Sequence, residues 1–347
     1  MVRIAVLGAG AMGSQHARIL GSMPDVEIIA LGDRNLALAK TVAMQFGIPK
    51  TYAEVHDLLR AEKPDAVVIA LPTAFHADAT LAAISAGCHV LVEKPIAATV
   101  AEGARMIAAA QRQQCIFTVG HIERFNPMIA ALKQRLQNNE LGDPYLVNTV
   151  RIGPYPKRLF GQSDGALIDL ASHDADIIQY LLGPITQVYA QLIMSGKQEI
   201  YAKALFKVNH SMNGSSEFSW ISPQRVRKIE VYGTKGIFVG DYQQQTLVFH
   251  ENADVLPVPP TEDLYQFILS GNVSAGSAIP CPVQKDEPLR IELRHFVDSI
   301  LHKRAPLVSG EDALRALQTA LTIRESGMRA QVMKVPDIAD GPVPRRE

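Results

Sequence analysis

A carboxylate and an imidazole lie four residues apart in the segment GALIDLASHDAD, residues 165–176. The segment begins a predicted helix, Ala166–Leu182, and side chains four apart lie on one face of a helix. Asp169 can therefore orient the ring of His173 and raise its basicity, which suits proton transfer near neutral pH. A helix-surface ion pair has the same spacing, and spacing alone favours that simpler interpretation.

Asp176 and Lys94 are two further candidates for a functional site. Asp176 adds a carboxylate, but one histidine, two carboxylates and no nearby cysteine form a poor donor set for a transition metal, so we expect no metal. Lys94 stands in Glu93-Lys94-Pro95, after a predicted strand over His89–Val92. Open parallel sheets bind ligands at the carboxyl edge of their strands. That position leaves a pocket residue and a solvated surface lysine equally open.

A glycine motif predicts a dinucleotide site at the start of the chain. Gly8-Ala9-Gly10-Ala11-Met12-Gly13 follows the predicted strand Val2–Leu7 and begins a predicted helix. Gly8 suits a tight turn, Gly10 a close approach to a pyrophosphate, and Gly13 close packing of helix on strand. The helix N-terminus offers free N–H groups to the phosphates. Strand, glycines and helix together make this motif more specific than a glycine-rich turn.

Asp33 follows the second predicted strand, Val26–Leu31, where a carboxylate can accept hydrogen bonds from the adenosine ribose. A carboxylate there repels a 2′-phosphate, so NAD is favoured over NADP. Arg34 weakens this preference because a guanidinium tolerates the phosphate. Asp33 can also cap the next helix.

The elements that position these residues change in character along the chain. Up to about residue 122, short Val/Ile/Leu-rich runs alternate with helical patterns, which predicts βαβ units and a doubly wound parallel sheet, a Rossmann fold. From residue 123 to 347, strands follow one another with few helices, which predicts an α+β domain on a large, mostly antiparallel sheet. The pattern places a hairpin turn at 233–236, an irregular connection at 255–286, and a final helix near 310–328 that can return to the first domain.

Composition limits the function classes. A chain of 347 residues is long enough for two domains. With 34 Lys+Arg against 35 Asp+Glu, bulk charge gives no case for nucleic acid or an anionic membrane. Cys88, Cys115 and Cys281 form no CxxC pair, so we expect free, buried thiols in a reducing compartment. The absence of a long apolar segment favours a cytoplasmic protein.

With these residues in place, the chain resembles the glucose–fructose oxidoreductase / inositol dehydrogenase (Gfo/Idh/MocA) family of NAD(P)-dependent sugar dehydrogenases. The similarity covers most of the chain and includes GAGAMG, LPTAFH at 71–76, EKP at 93–95 and GALIDLASHDAD. The resemblance implies that Lys94, Asp169 and His173 are catalytic, with His173 as acid/base. It also implies a homodimer or homotetramer. The cofactor-binding set that it implies is Gly8, Gly10, Ala11, Met12, Gly13, Asp33, Arg34, Leu71, Pro72, Thr73, His76, Glu93 and Lys94.

Two further segments resemble the branch of the family that oxidises UDP-N-acetylglucosamine at C3. They are GHIERFNP at 120–127 and RIGPYPKR at 151–158. In that branch the 3-keto sugar passes to an aminotransferase, which implies a role in amino-sugar biosynthesis, lipid A being the natural destination. A diphosphate suits a basic cluster, although each arginine can equally make a structural ion pair. The predicted substrate-binding residues are His121, Arg124, Asn126, Arg151, Lys157 and Arg158.

Three other functions remain open at this stage. A free-sugar or inositol dehydrogenase would need no nucleotide. A non-catalytic NAD-binding regulator would not need Lys94, Asp169 and His173 together. A tetrapyrrole reductase of similar fold would have a more apolar pocket.

Overall fold

Two sheets organise the chain, and the computed structural model describes them over residues 1–155, 165–252 and 276–337. The first sheet has six parallel strands in the order β3-β2-β1-β4-β5-β6. The predicted doubly wound sheet is confirmed; the two-residue β3 was not predicted because it is too short to show a pattern. The strands are β1 Val2–Leu7, β2 Val26–Gly32, β3 Thr51–Tyr52, β4 Ala66–Ile69, β5 His89–Glu93 and β6 Phe117–Gly120.

Helices cover both faces of this sheet, which explains its continuous apolar strands. Along β1, Ile4 and Val6 pack into one core, whereas Ala5 and Leu7 pack into the core on the opposite face. Alternate residues of a strand point to opposite faces, so a sheet covered on both sides needs apolar residues at every position. The helices are α1 Ala11–Leu20, α2 Leu36–Phe46, α3 Val55–Glu62, α4 His76–Ser85 and α5 Val100–Gln113.

The second sheet has nine strands in the order β14-β13-β12-β11-β7-β10-β9-β8-β15. Its neighbours pair antiparallel except β7 and β10, which are parallel, so the predicted mostly antiparallel sheet is confirmed. The predicted turn at 233–236 joins β11 to β12. The strands are β7 Pro144–Pro154, β8 Ile185–Ser195, β9 Gln198–Val208, β10 Met212–Ser219, β11 Ile221–Gly233, β12 Gly236–Asp241, β13 Thr246–Glu251, β14 Ala278–Cys281 and β15 Met333–Lys334.

The described residues form four more α-helices: α6 Pro127–Gln137, α7 Ala166–Leu182, α8 Pro288–His302 and α9 Gly310–Arg329. Helix α7 has the predicted bounds, and its apolar side chains share a core with β9 and β10. Helix α8 packs back on the first sheet, where Leu293 and Phe296 join the core of Ile4 and Val6. Helix α9 bridges the two sheets, since Leu314 packs with the first and Ala320 with the second.

Cys88 and Cys281 are buried, Cys115 is half-buried, and all three are free thiols. Burial raises the pKa of Cys88 to about 11, which makes this thiol a poor nucleophile.

In the described ranges, no helix has the length and apolar character needed to cross a membrane. Most of the irregular connection predicted at 255–286 lies outside the described residues.

Candidate active site

A cleft of about 830 Å³ lies between the carboxyl edge of the first sheet and helix α7. It contains the glycine motif at one end and the predicted catalytic residues at the other. The residues predicted to act on cofactor or substrate that line it are Gly8, Gly10, Ala11, Met12, Asp33, Arg34, Leu71, Pro72, Thr73, Glu93, Lys94, Asp169 and His173.

The glycine loop leaves space for a phosphate. Gly8 adopts φ +103°, and a Cβ there would lie 2.4 Å from the carbonyl oxygen of Ala70. A Cβ on Gly13 would lie 1.8 Å from the carbonyl oxygen of Gly8, so helix and loop are packed backbone to backbone. By contrast, a Cβ on Gly10 would meet nothing within 4 Å. Gly10 is also the N-cap of α1 and makes no side-chain cap, so the first N–H groups of the helix stay available to an anion.

Asp33 is held in place by backbone donors. One carboxylate oxygen accepts the N–H of Ala9 at 2.8 Å and the other accepts the N–H of Asn35 at 2.8 Å. The carboxylate thereby joins the glycine loop to the end of β2 and keeps its remaining lone pairs for ribose hydroxyls. Arg34 lies over the ring of Phe75, with 4.7 Å between guanidinium carbon and ring centroid. Asn35, not Asp33, caps α2.

His76 differs from the other predicted cofactor residues because it is buried and does not line the cleft. Its ring nitrogens lie 2.9 Å from the carbonyl oxygen of Pro95 and 2.8 Å from that of Leu71. Burial lowers its pKa, while the hydrogen bonds to these two carbonyl oxygens oppose that shift. His76 therefore connects the loops that follow β4 and β5, and it supports the cleft from behind.

Lys94 and Asp169 form an ion pair at the centre of the cleft. Nζ of Lys94 donates to Oδ1 of Asp169 at 2.7 Å and to its backbone carbonyl at 2.9 Å. Each side chain is only 12% exposed. Position explains the pairing: Lys94 directly follows β5, and Asp169 lies in the first turn of α7. Asp169 therefore pairs with a residue of the other domain inside the cleft, which is not the solvated helix surface that the simpler interpretation of the spacing assumed.

His173 lies one turn further along α7 and is half-buried in the same cleft. Burial lowers its pKa well below the usual value, and the positive charges of Lys94 and Arg151 lower it further. The imidazole is consequently neutral near pH 7. Its Nδ1 is buried without a hydrogen-bond partner among the described residues, so Nε2 is the nitrogen left to meet a substrate. A neutral imidazole beside a lysine can accept a proton from a hydroxyl group.

Glu93 has a partner that the sequence did not reveal. Its Oε1 lies 2.9 Å from Nε2 of His16, which is fully buried on α1. Its Oε2 accepts the backbone N–H of Lys94 at 3.2 Å. Burial opposes the carboxylate charge, but His16 and Lys94 outweigh it, and the net effect lowers the pKa of Glu93. Glu93 thus fixes the backbone from which Lys94 projects. His16 stands on the buried face of the helix that GAGAMG begins, which is its only sequence signal.

Arg124 is committed to neighbouring carboxylates. Its guanidinium donates to Asp176 at 2.6 to 3.0 Å and to Asp312 at 3.0 Å. The side chain is 4% exposed, and neither cleft reaches it. These contacts support the structural interpretation of Arg124 and not the predicted contact with a diphosphate.

Arg151 is committed in the same way. It donates to Asp174 at 2.7 Å and to Glu123 at 2.9 Å, and it is 1% exposed. Burial opposes its charge, but Asp174 and Glu123 outweigh burial and raise its pKa above the usual value. These two carboxylates already neutralise the charge of Arg151. The contacts therefore support a structural role for Arg151 and not the predicted binding of a diphosphate. Lys157 and Arg158, the other two members of the predicted basic cluster, lie outside the described residues.

His121 and Asn126 are both buried at the junction of the two domains. Nδ1 of His121 lies 3.8 Å from Oδ2 of Asp176. Asn126 caps α6 by accepting the N–H of Met128 at 3.1 Å, and it donates to the carbonyl of Tyr242 at 3.0 Å. Neither side chain lines the cleft, so the geometry gives them supporting positions and not the predicted contact with substrate.

Arg227, which the sequence reasoning missed, lines the cleft on the side opposite the glycine loop. It belongs to β11, in the run Arg225-Val226-Arg227-Lys228. Two arginines at alternate positions of a strand share one face of the sheet. That period-two spacing was the signal available in the sequence.

Comparison with known proteins agrees with this geometry. The model of the oxidoreductase family with an NAD-binding Rossmann fold matches residues 2–121, and that of the GFO/IDH/MocA C-terminal domain matches residues 129–239. The scyllo-inositol 2-dehydrogenase (NAD(+)) of Bacillus subtilis is 30% identical over 95% of this chain and 96% of its own. The UDP-N-acetylglucosamine 3-dehydrogenase of Acidithiobacillus ferrooxidans is 26% identical over 93% and 96%. A levoglucosan dehydrogenase solved with NADH and L-sorbose has the same fold, with a TM-score of 0.84 at 20% identity over 98% and 100% of the two chains.

The chain therefore belongs to the GFO/IDH/MocA family. It is an NAD-dependent oxidoreductase of the class that acts on CH–OH groups of sugars and polyols.

Proposed function

We propose that this enzyme oxidises a secondary hydroxyl group of a sugar nucleotide, C3 of UDP-N-acetylglucosamine, to a keto group. The observation that carries the proposal is the meeting of Lys94, Asp169 and His173 in one cleft with the glycine loop. The loop and Asp33 hold NAD, which, when bound, accepts a hydride at C4 of its nicotinamide ring. The protein supplies position and proton transfer.

Each of the three polar residues has a separate task. His173, neutral near pH 7, accepts the proton of the hydroxyl group that is oxidised. Lys94 donates a hydrogen bond to the same oxygen and so stabilises the charge that develops on it. Asp169 holds the ammonium group of Lys94 at 2.7 Å and sets its direction. The buried pair of Glu93 and His16 fixes the backbone beneath Lys94.

Two observations support a sugar nucleotide. One is the full-length similarity to a UDP-N-acetylglucosamine 3-dehydrogenase. The other is the cationic Arg227 in the wall of the cleft, which a neutral polyol does not require. The second candidate is an inositol or free-sugar dehydrogenase, and the higher identity to a scyllo-inositol 2-dehydrogenase favours it.

The 3-keto product of the proposed reaction suits an aminotransferase as the next enzyme, in amino-sugar biosynthesis.

We also propose a homodimer or homotetramer formed through the face of the second sheet opposite α7. On that face Ile193 and Leu205 are about half exposed, at 49% and 54%. Paired sheet faces would remove these side chains from water.

The test is NADH formation at 340 nm with purified protein and NAD. The panel holds UDP-N-acetylglucosamine, UDP-glucose, glucose, myo-inositol and scyllo-inositol, each with and without a coupled aminotransferase to remove the keto product. Turnover confined to UDP-N-acetylglucosamine supports the proposal. Faster turnover of an inositol would show that the substrate is a polyol and not a sugar nucleotide. NAD binding with no turnover of any sugar would instead indicate a non-catalytic NAD-binding regulator.

A further inference from the structure

A second, smaller cleft adjoins the catalytic one on the face of the nine-stranded sheet. Its volume is about 280 Å³, and Asp169, Leu170 and Arg227 line both clefts. The remaining wall comes from the ends of β7, β10 and β11, at Arg151–Pro154, Ser219–Trp220 and Arg225. A substrate held at His173 can therefore extend from the reacting hydroxyl directly into this second cleft.

Like charges face each other across the floor of the second cleft. In the pairing of β11 with β7, Arg227 lies directly opposite Arg151. Like charges at directly opposite positions destabilise a sheet. Arg151 is neutralised by Asp174 and Glu123. Arg227 receives much less compensation, because its nearest described carboxylate, Glu123, is 3.9 Å away and is already paired with Arg151.

Arg225 adds a second positive charge to the wall of this cleft. It is exposed, it lines the second cleft beside Arg227, and it makes no ion pair with any residue in the described ranges. Burial and the positive charges of Arg151 and Arg225 lower the pKa of Arg227 to about 10. Burial is the largest of these effects, and the two neighbouring positive charges add to it, so the positive potential around Arg227 is poorly balanced. An incoming anion would relieve that imbalance.

A neutral donor stands in the same wall. Trp220 is 2% exposed and packs edge to face against Tyr155, with ring centroids 5.2 Å apart. Its indole N–H is buried and has no hydrogen-bond partner among the described residues. Buried donors nearly always find an acceptor. Trp220 is thus an unpaired buried donor in the wall of the second cleft, as far as the described residues show.

We propose that Arg225 and Arg227 form an oxyanion subsite that binds a negatively charged substituent of the substrate beside the reacting hydroxyl. This inference rests on the proposed dehydrogenase function of the adjoining cleft and specifies the chemistry of its substrate. A phosphoryl group of a sugar nucleotide and the carboxylate of a sugar acid share the chemistry that guanidinium groups recognise. The subsite lies on β11 and replaces the predicted roles of Arg124 and Arg151, whose charges are already compensated.

The experiment compares Arg225→Gln, Arg227→Gln and the double variant with the wild type. Lys228→Gln is the matched control, because Lys228 neighbours Arg227 on the strand, points to the opposite face and is exposed. Arg227→Lys retains the charge and checks whether the arginine geometry is needed. The substrates are UDP-N-acetylglucosamine for the phosphoryl source, glucuronate for the carboxylate source, and scyllo-inositol as the neutral reference.

We expect the double variant to raise KM for the anionic substrate by about 10- to 100-fold, while kcat changes less than about threefold. KM for the neutral reference and the Lys228→Gln kinetics should stay within about twofold of wild type. The substrate with the larger loss of kcat/KM identifies the phosphoryl or the carboxylate source. Equal losses for neutral and anionic substrates would overturn the subsite and leave the dehydrogenase function intact.

A binding measurement separates failure of the subsite from failure of the proposed function. NADH-loaded enzyme is titrated calorimetrically with inorganic pyrophosphate and, separately, with glucuronate. Binding by wild type and Lys228→Gln that is lost in the double variant supports the subsite even if no sugar in the panel is oxidised. Absence of binding, or binding that the double variant keeps, would overturn it.

Discussion

The two walls of the candidate catalytic cleft differ in the groups that they present, mainly backbone on one side and charged side chains on the other. The wall from the first sheet faces the cofactor mainly with backbone: the glycine loop and the open N-terminus of α1. The wall from α7 and the nine-stranded sheet lines the proposed substrate side of the cleft with charged and polar side chains, among them Asp169, His173 and Arg227. Backbone donors suit a ligand that stays the same, because no single side-chain substitution removes them. Side chains suit a ligand that differs between relatives, and in this family the named substrates do differ.

The difference teaches where each kind of substitution should act. A change in the second wall should alter turnover or choice of substrate and leave NAD affinity alone. A change in the glycine loop or at Asp33 should alter the affinity for NAD and leave the proton transfer alone. Substitutions that cross this division would show that the two walls are not independent.

His173→Ala should produce the largest effect of the three predictions. Loss of a positioned base costs about 10²- to 10⁴-fold in turnover, whereas NAD affinity should remain within about twofold. In the wild type, kcat/KM should stay flat down through pH 6.5 and fall only at a more acidic pH, because the lowered pKa keeps His173 neutral until then. Stopped-flow NADH formation and cofactor fluorescence titration measure the two quantities.

The control for that variant is His302→Ala, an exposed histidine at the end of α8. Its activity and pH profile should match wild type. Substantial activity in His173→Ala, with the acidic limb of the profile unchanged, would assign the base to another residue.

Asp33→Asn probes the carboxylate that joins the glycine loop to the end of β2 in the cofactor wall. The amide keeps the shape and one acceptor but removes the charge that orders the loop and faces the ribose. We expect the Kd for NAD to rise by about 10-fold, and the preference for NAD over NADP to shrink because repulsion of a 2′-phosphate is lost. The rate of the chemical step at saturating NAD should stay near wild type.

Asp57→Asn, an exposed carboxylate on α3, provides the matched control for the loss of one negative charge. Fluorescence titrations with NADH and NADPH give both affinities. An unchanged ratio of the two would mean that Asp33 does not select the cofactor.

The division between the walls also explains what could be predicted from the sequence. GAGAMG and the spacing of Asp169 and His173 are local patterns, so the glycine loop and the helix that carries this pair could be predicted directly. The partner of Lys94 could not, because Asp169 lies 75 positions away and reaches it only where the first turn of α7 approaches the carboxyl edge of the first sheet. Arg151 is similar, since its commitment to Asp174 depends on a contact 23 positions away.

Strand register was the second obstacle. The position of Arg225 and Arg227 at the cleft becomes apparent only when β11 is placed beside β7, because this pairing brings Arg227 opposite Arg151. Sequence alone does not fix which strands are neighbours in a nine-stranded sheet. The order of the sheet, with β7 between β10 and β11, is what places these cations at the cleft.

The smallest predicted effect concerns the stability of the fold and a buried carboxyl group, Glu292, that lies behind the cleft. In the second domain, the buried carboxylates Asp174 and Asp176 pair with Arg151 and Arg124. Glu292 on α8 differs, because it is 2% exposed and both of its oxygens lack a hydrogen-bond partner among the described residues. Burial raises its pKa well above the usual value, and the negative charges of Glu93 and Asp176 raise it further.

Glu292→Gln should therefore remove a pH dependence of stability. A carboxyl group whose pKa is raised by folding stabilises the folded state fully at acidic pH and loses that contribution as the pH rises through the folded pKa. From pH 6 to pH 7, the free energy of unfolding of wild type should fall relative to Glu292→Gln by up to about 1.4 kcal/mol. Urea unfolding at both pH values measures the difference, with the exposed Glu287→Gln as the control. Parallel pH dependences in wild type and Glu292→Gln would mean that Glu292 has a compensating partner in solution, and both walls of the cleft would then rest on compensated charges.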